Sequence, residues 1–257
     1  MNTLYIEPVK EVKSASVTAG FGIAEDLQDK GYSFVPGKEL QEMLNLEETD
    51  IADFGDYWQR LTLDNYMADG GRYRYRRYNA IKTKPGSQEL FLVASHPYRQ
   101  SACVNTLNGG VDRYYDDLEP GFVNHPVLQK FLKKLVSVYD AVEQAEGEWL
   151  IQLHPYRVRA DGSVCGKPAP EGLHSDGVDF VLSMMIHREN VSGGETSVAT
   201  ADKKIVYTRT LEQPLDVALC NDRKMLHDVT EVKRLLPNRP AWRDVLVVAF
   251  SRQKPIH

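Results

Sequence analysis

The hydrophobic positions divide the chain into a helical first part and a strand-rich second part. Between Pro126 and Gln144 the apolar residues recur at i, i+3, i+4 and i+7, which predicts an amphipathic helix. Two shorter helices are predicted at 22–27 and 37–44, with a short strand at 32–35 between them. A further helix is predicted from Asp53 to Leu61, because an aspartate stands near its start.

The remaining hydrophobic pattern is typical of strands. Residues 72–78 alternate basic and aromatic side chains at period two, and residues 89–94 form a short apolar run. After the long helix, short apolar runs follow one another with a turn signal roughly every ten residues, one of them at Asp161-Gly162. The strands predicted there are 149–154, 156–160, 180–186, 196–199, 204–207, 216–219, 227–229 and 245–250.

This order of elements predicts the fold class and the domain organisation. Many short strands with regular turns favour a sandwich or barrel, here mainly β with flanking helices. No linker rich in proline, glycine or serine interrupts the chain, so we expect a single domain over residues 1–257. Within it, residues 1–60 are expected to be a helical N-terminal elaboration and residues 61–252 the β-rich core.

Composition and charge argue against several classes of function. A formal net charge of −5 and a pI near 5.8 disfavour general nucleic-acid binding, which needs a basic surface. No apolar run approaches the roughly 20 residues that span a bilayer, and the N-terminus lacks the pattern of a signal peptide. The three cysteines are widely spaced and form no Cys-x-x-Cys pair, which fits a reducing cytoplasm.

One segment, Gly172–Gly177, contains a histidine and an aspartate two positions apart. On an extended strand these positions point to the same face, so His174 and Asp176 can bind one side of a divalent metal. A third ligand has to come from elsewhere, and His227 stands near the end of the β-rich half. Two histidines and one carboxylate form the facial triad of iron(II) oxygenases.

Each candidate ligand also has a purely structural interpretation. His174 and Asp176 fit a polar turn at a strand end, and His227 fits a hydrogen-bonded structural histidine. His154 is another possible ligand, but its neighbour Pro155 and the lack of a paired carboxylate favour a structural role. A zinc hydrolase can use the same ligand types, although no HExxH motif or nearby general-base glutamate supports that alternative.

An arginine near the last predicted strand is the candidate anion receptor. Arg243 precedes the apolar run 245–250, and a guanidinium there can bind a carboxylate in a bidentate fork. Arg239 and Arg252 are rival candidates. The Gly193-Gly194 turn allows the chain to fold back over the segment with the candidate ligands.

Taken together, these motifs resemble the family of bacterial 2-oxoglutarate/iron(II) dioxygenases that hydroxylate free L-amino acids, the L-isoleucine 4-hydroxylase type. The resemblance covers roughly residues 60–252. It is carried mainly by Pro168-Ala169-Pro170-Glu171-Gly172-Leu173-His174-Ser175-Asp176-Gly177 and by Arg188-Glu189-Asn190-Val191-Ser192-Gly193-Gly194. Further matching segments are 72–78, Gln100-Ser101 with Asn105, 109–113 and 154–158.

The resemblance implies a fold, a site and a set of cofactors. The fold is a double-stranded β-helix, also called a jelly roll or cupin-like core, with flanking helices. The implied iron ligands are matched by His174, Asp176 and His227, and the arginine for 2-oxoglutarate is best matched by Arg243. Iron(II), 2-oxoglutarate and dioxygen are the implied cofactors, with an amino-acid-like small molecule as substrate. Ser175 departs from the family pattern, which often has arginine between the two ligands.

The substrate residues are predicted from the needs of an amino acid. Its carboxylate requires cations, for which Arg157 and Arg159 are the first candidates, and Asp179 is a candidate for the ammonium group or for a turn. Tyr156 is predicted to hydrogen-bond 2-oxoglutarate. Other candidate arginines are Arg74, Arg76 and Arg99.

Two alternative functions and the oligomeric state stay open at this point. A tailoring oxygenase can act on an amino-acid unit in natural-product biosynthesis, and the oxidative outcome can be desaturation, epoxidation or sulfoxidation. A non-catalytic jelly-roll protein would keep the pocket without turnover. The oligomeric state is open, with a homodimer as one expectation.

Overall fold

The computed structural model describes most of the chain after its first twenty residues. The described residues are 21–67, 69–84, 86–87, 89–102, 104, 109–143, 147–160 and 165–253. The turn predicted at Asp161-Gly162 and the family-like Asn105 lie outside them.

The helices precede or interrupt the strands as the hydrophobic pattern predicts. The long amphipathic helix is confirmed, and Pro126 occupies its first turn, where a missing N–H costs nothing. The helix predicted at 53–61 begins earlier, because Glu47 and Asp50 form a capping box, and its second half tightens into a 3-10 helix. The helices are α1 Phe21–Asp29, α2 Gly37–Leu44, α3 Glu48–Gly55, the 3-10 helix Asp56–Arg60, α4 Pro120–Val123 and α5 Pro126–Val142.

The strands account for most of the remaining described chain. They are β1 Tyr32–Val35, β2 Thr62–Leu63, β3 Arg74–Arg76, β4 Asn79–Thr83, β5 Phe91–Leu92, β6 Glu148–Arg159, β7 Phe180–Glu189, β8 Val191–Gly193, β9 Glu195–Thr200, β10 Ile205–Thr210, β11 Val217–Asn221, β12 Met225–Val229, β13 Val232–Arg234 and β14 Trp242–Gln253. The hydrophobic pattern missed β2, β4, β8 and β13, because short strands carry too few residues for a clear period.

The strands form the two sides of a jelly roll. The large sheet has the order β1-β11-β7-β14-β6-β3-β2, with β4 joining β6 and β5 at its edge. The opposite side is built from β10-β9-β12 and from the pair β13-β8. A cavity is lined by residues of both sides, among them Val245 from β14 and Val198 from β9.

The large sheet separates the hydrophobic core from the cavity. On one face, side chains such as Leu153, Leu182 and Val248 pack with Phe54 and Leu128 of the helices in one buried cluster. Alternate residues on the same strands point the other way, as the period of a strand requires. The helices therefore cover the outer face of the sheet and leave its inner face for a site.

A continuous strand replaces the two that the sequence predicts at 149–154 and 156–160. β6 runs through Pro155, which lies between the residues paired with β4 and those paired with β3. Proline has no N–H to donate, and this change of neighbours requires none at that point. As a result, β6 reaches from the helical layer to the cavity. Among the described helices, none is long and apolar enough to cross a membrane.

Candidate metal centre

The structure brings the three predicted ligands together across a β-bridge. His174 and His227 exchange backbone hydrogen bonds of 3.0 and 2.9 Å, which places their side chains opposite each other. Their rings lie 4.4 Å apart, and one ligand atom from each of His174, Asp176 and His227 lies within 4.8 Å of the others. The Asp176 carboxylate is 3.8 Å from Nε2 of His174 and 3.4 Å from Nε2 of His227.

The segment with His174 and Asp176 is not the regular strand that the sequence predicts. Only His174 makes a bridge, and the turn after it is held by the buried side chain of Asp222. This carboxylate accepts hydrogen bonds from the Ser175 hydroxyl at 2.9 Å, from Asp176 N at 3.1 Å and from Val178 N at 3.0 Å. Asp222 therefore fixes the direction in which Asp176 points.

A hydrogen bond also sets the orientation of the His174 imidazole. Nδ1 of His174 lies 2.7 Å from the Gly172 carbonyl, so this nitrogen carries the proton and Nε2 keeps its lone pair. Metal-binding histidines commonly donate their second nitrogen to a carbonyl or carboxylate in this way. Nδ1 of His227 lies 3.5 Å from Asp222 but makes no hydrogen bond among the described residues.

The electrostatics of the three residues reflect their close packing. Burial raises the pKa of Asp176, but the hydrogen bond and charge of His227 outweigh burial and hold the pKa well below its usual range. Burial lowers the pKa of His227, but the hydrogen bond to Asp176 outweighs it and raises that pKa well above its usual range. The carboxylate is therefore ionised and attracts a cation. The donor set of two imidazoles and one carboxylate fits iron(II).

A cavity of about 140 Å³ opens in front of these residues. A buried water needs roughly 10–15 Å³ of such volume, so the cavity has space for roughly ten groups of the size of water. This suits small molecules. Its walls combine the polar groups of the site with apolar side chains. The apolar lining includes Val158, Pro168, Ala169, Val181, Val198, Val229, Val245 and Val247.

Arg243 also lines the cavity. Its side chain is 1% exposed, and Nε and Nη2 make no hydrogen bond within the described part of the chain. Burial, together with the charge of Arg188, lowers the pKa of Arg243 to about 10. A buried guanidinium without an anion is costly, so this geometry favours binding of a carboxylate.

The neighbouring glycine turn makes room for that guanidinium. A Cβ at Gly194 would lie 2.9 Å from Cδ of Arg243, and the residue has a φ of +70°. Both observations require glycine there. The rival arginines lie elsewhere: Arg239 is exposed, and Arg252 binds Asp140 at 2.6 Å.

Three further arginines line the cavity, and two of them lie beside one buried carboxylate. Arg74, Arg76 and Arg113 are 8%, 1% and 3% exposed. Asp64 lies 2.7 Å from Arg74 but 4.0 Å from Arg76, and burial of Asp64 is outweighed by both cations, which lower its pKa. Nε of both Arg76 and Arg113 lacks a hydrogen-bond partner among the described residues. This arginine cluster thus carries an excess of positive charge.

Aromatic rings support the arginine cluster. Tyr156 lines the cavity, and the guanidinium of Arg76 lies 4.6 Å from the centre of its ring. His154 accepts a hydrogen bond of 2.5 Å from Arg76, and burial and the charge of Arg76 hold the pKa of His154 well below its usual range. His154 is therefore neutral and bound to an arginine, as its structural interpretation requires.

The predicted substrate residues Arg157, Arg159 and Asp179 do not line this cavity. Arg157 and Arg159 lie on the opposite face of β6 from Tyr156, where they line a separate cavity. Arg157 forms a bidentate pair with Asp244 at 2.7 and 2.6 Å. Asp179 accepts a hydrogen bond from Arg252 N of β14 and forms an ion pair with Arg223.

Sequence reasoning assigned no role to three polar residues of the site. Gln100 and Arg113 lie in segments that match the family, but these segments have no clear period, and Asp222 looks like part of an ordinary hairpin turn. For Arg74 and Arg76 a signal existed, because two arginines at period two on a strand share a face. What no pattern showed was which face meets the cavity.

Comparison with known proteins places the chain in a family. The model of the 2OG-Fe dioxygenase family matches residues 55–249. The chain is 28% identical to the 3(1)-hydroxy-L-isoleucine 4-dioxygenase of Pantoea ananatis, over 90% of this chain and 96% of that protein. It is 24% identical to the L-isoleucine-4-hydroxylase of Bacillus thuringiensis, over 91% of this chain and 97% of that protein.

A solved structure supports the same conclusion. The crystal structure of a BsmA homologue from Methylobium petroleophilum superimposes with a TM-score of 0.83 at 31% identity, covering 93% of this chain and 96% of that one. The predicted jelly roll is therefore confirmed, and the iron(II), 2-oxoglutarate and dioxygen expected from the resemblance are the cofactors of the matched family. The chain belongs to the 2OG-Fe dioxygenase family.

Proposed function

We propose that this enzyme hydroxylates an unactivated C–H bond of a free aliphatic L-amino acid or a close derivative. One oxygen atom of dioxygen enters the new hydroxyl group, and the other enters the succinate formed when 2-oxoglutarate loses carbon dioxide. The observation that carries the proposal is the cavity itself, which is lined by the three metal ligands, by Arg243 and by the arginine cluster. Two carboxylate-bearing molecules require such an arrangement.

The proposed metal ligands are His174, Asp176 and His227. They occupy one side of a metal and leave its other side facing the cavity, where small molecules can bind. Iron(II) at this position supplies the activation of dioxygen and the oxidation of the C–H bond, and the protein supplies binding and orientation. Asp222 and the Gly172 carbonyl hold the ligands in place for that purpose.

Arg243 is the proposed receptor for the distal carboxylate of 2-oxoglutarate. Its buried and unpartnered nitrogens would gain charge-assisted hydrogen bonds, while the anion would be shielded from water. Thr196 and Ser183 also line the cavity, and their hydroxyl groups can donate hydrogen bonds. The predicted contact of Tyr156 with 2-oxoglutarate is less well supported, because Tyr156 lies beside Arg74 and Arg76.

The arginine cluster is the proposed receptor for the carboxylate of the amino acid. Arg74 and Arg76 share the carboxylate of Asp64, and Arg113 binds the neutral amide of Gln100, so an anion from the substrate would balance part of the remaining charge. For the ammonium group we propose Glu171, which with Asp176 supplies the carboxylates among the described residues that line the cavity. Val158, Pro168 and Ala169 offer an apolar wall for an aliphatic side chain.

The relatives support an amino acid as substrate. The Pantoea ananatis protein is named for oxidation of a hydroxylated isoleucine, and the Bacillus thuringiensis protein is named for hydroxylation of isoleucine. Both relatives match nearly the whole chain, so the comparison extends over the entire site. Isoleucine and its hydroxylated and unbranched relatives are therefore the first substrates to test. A homodimer and a cytoplasmic location stay predictions.

The test is succinate release across the proteinogenic amino acids with iron(II), 2-oxoglutarate and ascorbate. We expect an aliphatic amino acid to raise succinate formation well above the amino-acid-free rate, with a hydroxylated product detected by mass spectrometry. His174→Ala and Asp176→Ala should abolish both signals, whereas Arg239→Met, at an exposed arginine, should keep them. Absence of amino-acid-dependent succinate and product in the wild type would contradict the proposal.

A further inference from the structure

A single side chain connects the metal site to the arginine cluster. Nε2 of Gln100 donates a hydrogen bond of 3.1 Å to Oδ1 of Asp176. At its other end, Oε1 of Gln100 accepts a hydrogen bond of 2.9 Å from Nη2 of Arg113. The amide thus spans the distance between a metal ligand and a cation that faces the same cavity.

The protein fixes both ends of this connection. Tyr98 and Arg113 exchange backbone hydrogen bonds of 2.8 and 3.0 Å, which ties the start and the end of the intervening segment together. The guanidinium of Arg113 lies 4.5 Å from the centre of the Tyr98 ring, and it is 3% exposed. Gln100 therefore receives its hydrogen bond from a buried and immobilised cation.

An amide can make both contacts at once. The carboxylate needs a donor and the guanidinium needs an acceptor, and a glutamine side chain presents one of each. A glutamate at this position would place a second negative charge against Asp176, and an apolar residue would leave both partners unsatisfied. The choice of glutamine is thus explained by its two neighbours and not by packing alone.

We propose that Gln100 is a positioning residue that links occupancy of the arginine cluster to the orientation of Asp176. An anion bound to Arg113 competes with Oε1 of Gln100 for the guanidinium. When Oε1 loses this hydrogen bond, the amide moves, and its hydrogen bond to Asp176 changes with it. The metal centre therefore differs between the substrate-free and the substrate-bound enzyme. This inference rests on the proposed function for the nature of that anion, which is the amino-acid carboxylate.

The linkage has a consequence for turnover. When no substrate is oxidised, the second oxygen atom of dioxygen needs two electrons from another source, which ascorbate supplies in the assay. A metal ligand that responds to the substrate keeps this unproductive reaction slow until the amino acid is bound. Loss of the linkage should thus raise succinate formation relative to hydroxylated product.

The experiment compares Gln100→Leu and Gln100→Glu with the wild type. Gln59→Leu is the matched control, because Gln59 also accepts a hydrogen bond from an arginine but lines the separate cavity behind β6. One readout is the visible absorption band of the anaerobic iron(II)–2-oxoglutarate complex before and after addition of the best amino acid. The second is the ratio of succinate to hydroxylated product, and the third is the Kd for iron(II).

We expect the amino acid to shift the absorption band in the wild type and in Gln59→Leu but not in Gln100→Leu. The ratio of succinate to product should rise severalfold in Gln100→Leu, and its affinity for iron(II) should fall by about tenfold, as for other residues that orient metal ligands. Gln100→Glu should shift the absorption band of the substrate-free complex away from its wild-type position, because this substitution puts a negative charge beside Asp176.

The outcomes separate this proposal from the proposed function. If Gln100→Leu keeps the band shift and the ratio of the wild type, the linkage is wrong. If no amino acid is oxidised by the wild type, the proposed substrate class fails, yet the substrate-free complex still tests the contact. A substrate-free band and an iron(II) Kd identical in wild type, Gln100→Leu and Gln100→Glu would then refute the positioning of Asp176 by Gln100.

Discussion

At the scale of single residues, the site is controlled by buried polar groups whose partners come from distant parts of the chain. Arg243 is buried without an anion, and Asp222 binds the turn that carries Asp176. Both features are costly or unnecessary for folding alone, since buried charges are stable only when they are paired. Their arrangement is explained by the ligands that they are expected to hold.

Replacement of the cavity arginine gives the first residue-scale prediction. Arg243→Met removes charge-assisted hydrogen bonds to 2-oxoglutarate, so we expect the KM for 2-oxoglutarate to rise about 100-fold. The protein without ligands should be at least as stable as the wild type, because an unpaired buried charge is lost. Initial rates of succinate formation and thermal unfolding measure the two effects. Arg239→Met should change neither, and an unaltered KM in Arg243→Met would exclude this arginine as the receptor.

Asp222, whose carboxylate holds the turn with Asp176, gives the second residue-scale prediction. Asp222→Asn keeps the size of the side chain but weakens its hydrogen bonds to Ser175, Asp176 and Val178. Affinity for iron(II) or manganese(II) should fall about 10- to 100-fold. Metal titration followed by tryptophan fluorescence measures this, with Asp202→Asn on the surface as control. Equal affinities in both variants would show that Asp222 has no part in orienting the ligands.

At the scale of the elements, alternation along β6 and β14 decides which side chains meet the cavity. Tyr156 pairs with Val245 and lines the cavity, whereas Arg157 pairs with Asp244 on the other face. Residues directly opposite each other on neighbouring strands share a face. The register therefore decides which arginines face the cavity and which face away from it. The strands were largely predictable from the sequence, but their faces were not, because both sides of β6 contain polar and apolar residues.

This register predicts different roles for the arginines of β6. Arg157→Ala leaves the buried carboxylate of Asp244 unpaired, so the free energy of unfolding should fall by about 3–5 kcal/mol. The amino-acid KM should stay close to that of the wild type. Urea unfolding and steady-state rates test both statements, and Arg159→Ala, at an exposed position, should alter stability by less than about 0.5 kcal/mol. A raised amino-acid KM with unchanged stability would instead favour Arg157 as the substrate receptor.

At the scale of the whole molecule, the site joins parts of the jelly roll that are far apart in the chain. His227 comes from β12 in the smaller sheet, Arg243 comes from β14 in the large sheet, and Asp176 comes from the segment between β6 and β7. At the proposed positions, a metal and 2-oxoglutarate would therefore connect both sheets. Such ligands stabilise the folded protein in proportion to their affinity for it.

This predicts stepwise stabilisation by ligands. Manganese(II) at 100 times its Kd should raise the free energy of unfolding by about 2.7 kcal/mol, and 2-oxoglutarate should add a second increment. Thermal unfolding of each combination measures the two steps. His174→Ala should lose both increments, whereas Arg243→Met should keep the first and lose most of the second. An increment from 2-oxoglutarate that is equal in wild type and Arg243→Met would place the co-substrate elsewhere.

The sequence by itself determined what depends on neighbouring residues. Local periodicity predicts α5 and most of the longer strands, since amphipathic helices and half-buried strands repeat at different intervals. The types of the metal ligands and of Arg243 were also recognisable, because their chemistry is carried by few residue types at fixed motif positions. The boundaries of α3 and the short strands were not, since capping and pairing shift them.

Only the tertiary structure decided which polar residues share a site. The bridge between His174 and His227, the contact of Asp222 with the turn, and the link from Gln100 to Arg113 all join segments that are separate in sequence. Such contacts depend on strand register and on the path of connecting segments, neither of which leaves a periodic signal. A shift of one residue in β6 would put Arg157 in the cavity in place of Tyr156, because side chains alternate along a strand. The sequence thus set the available chemistry, and the packing of the two sheets chose the residues that use it.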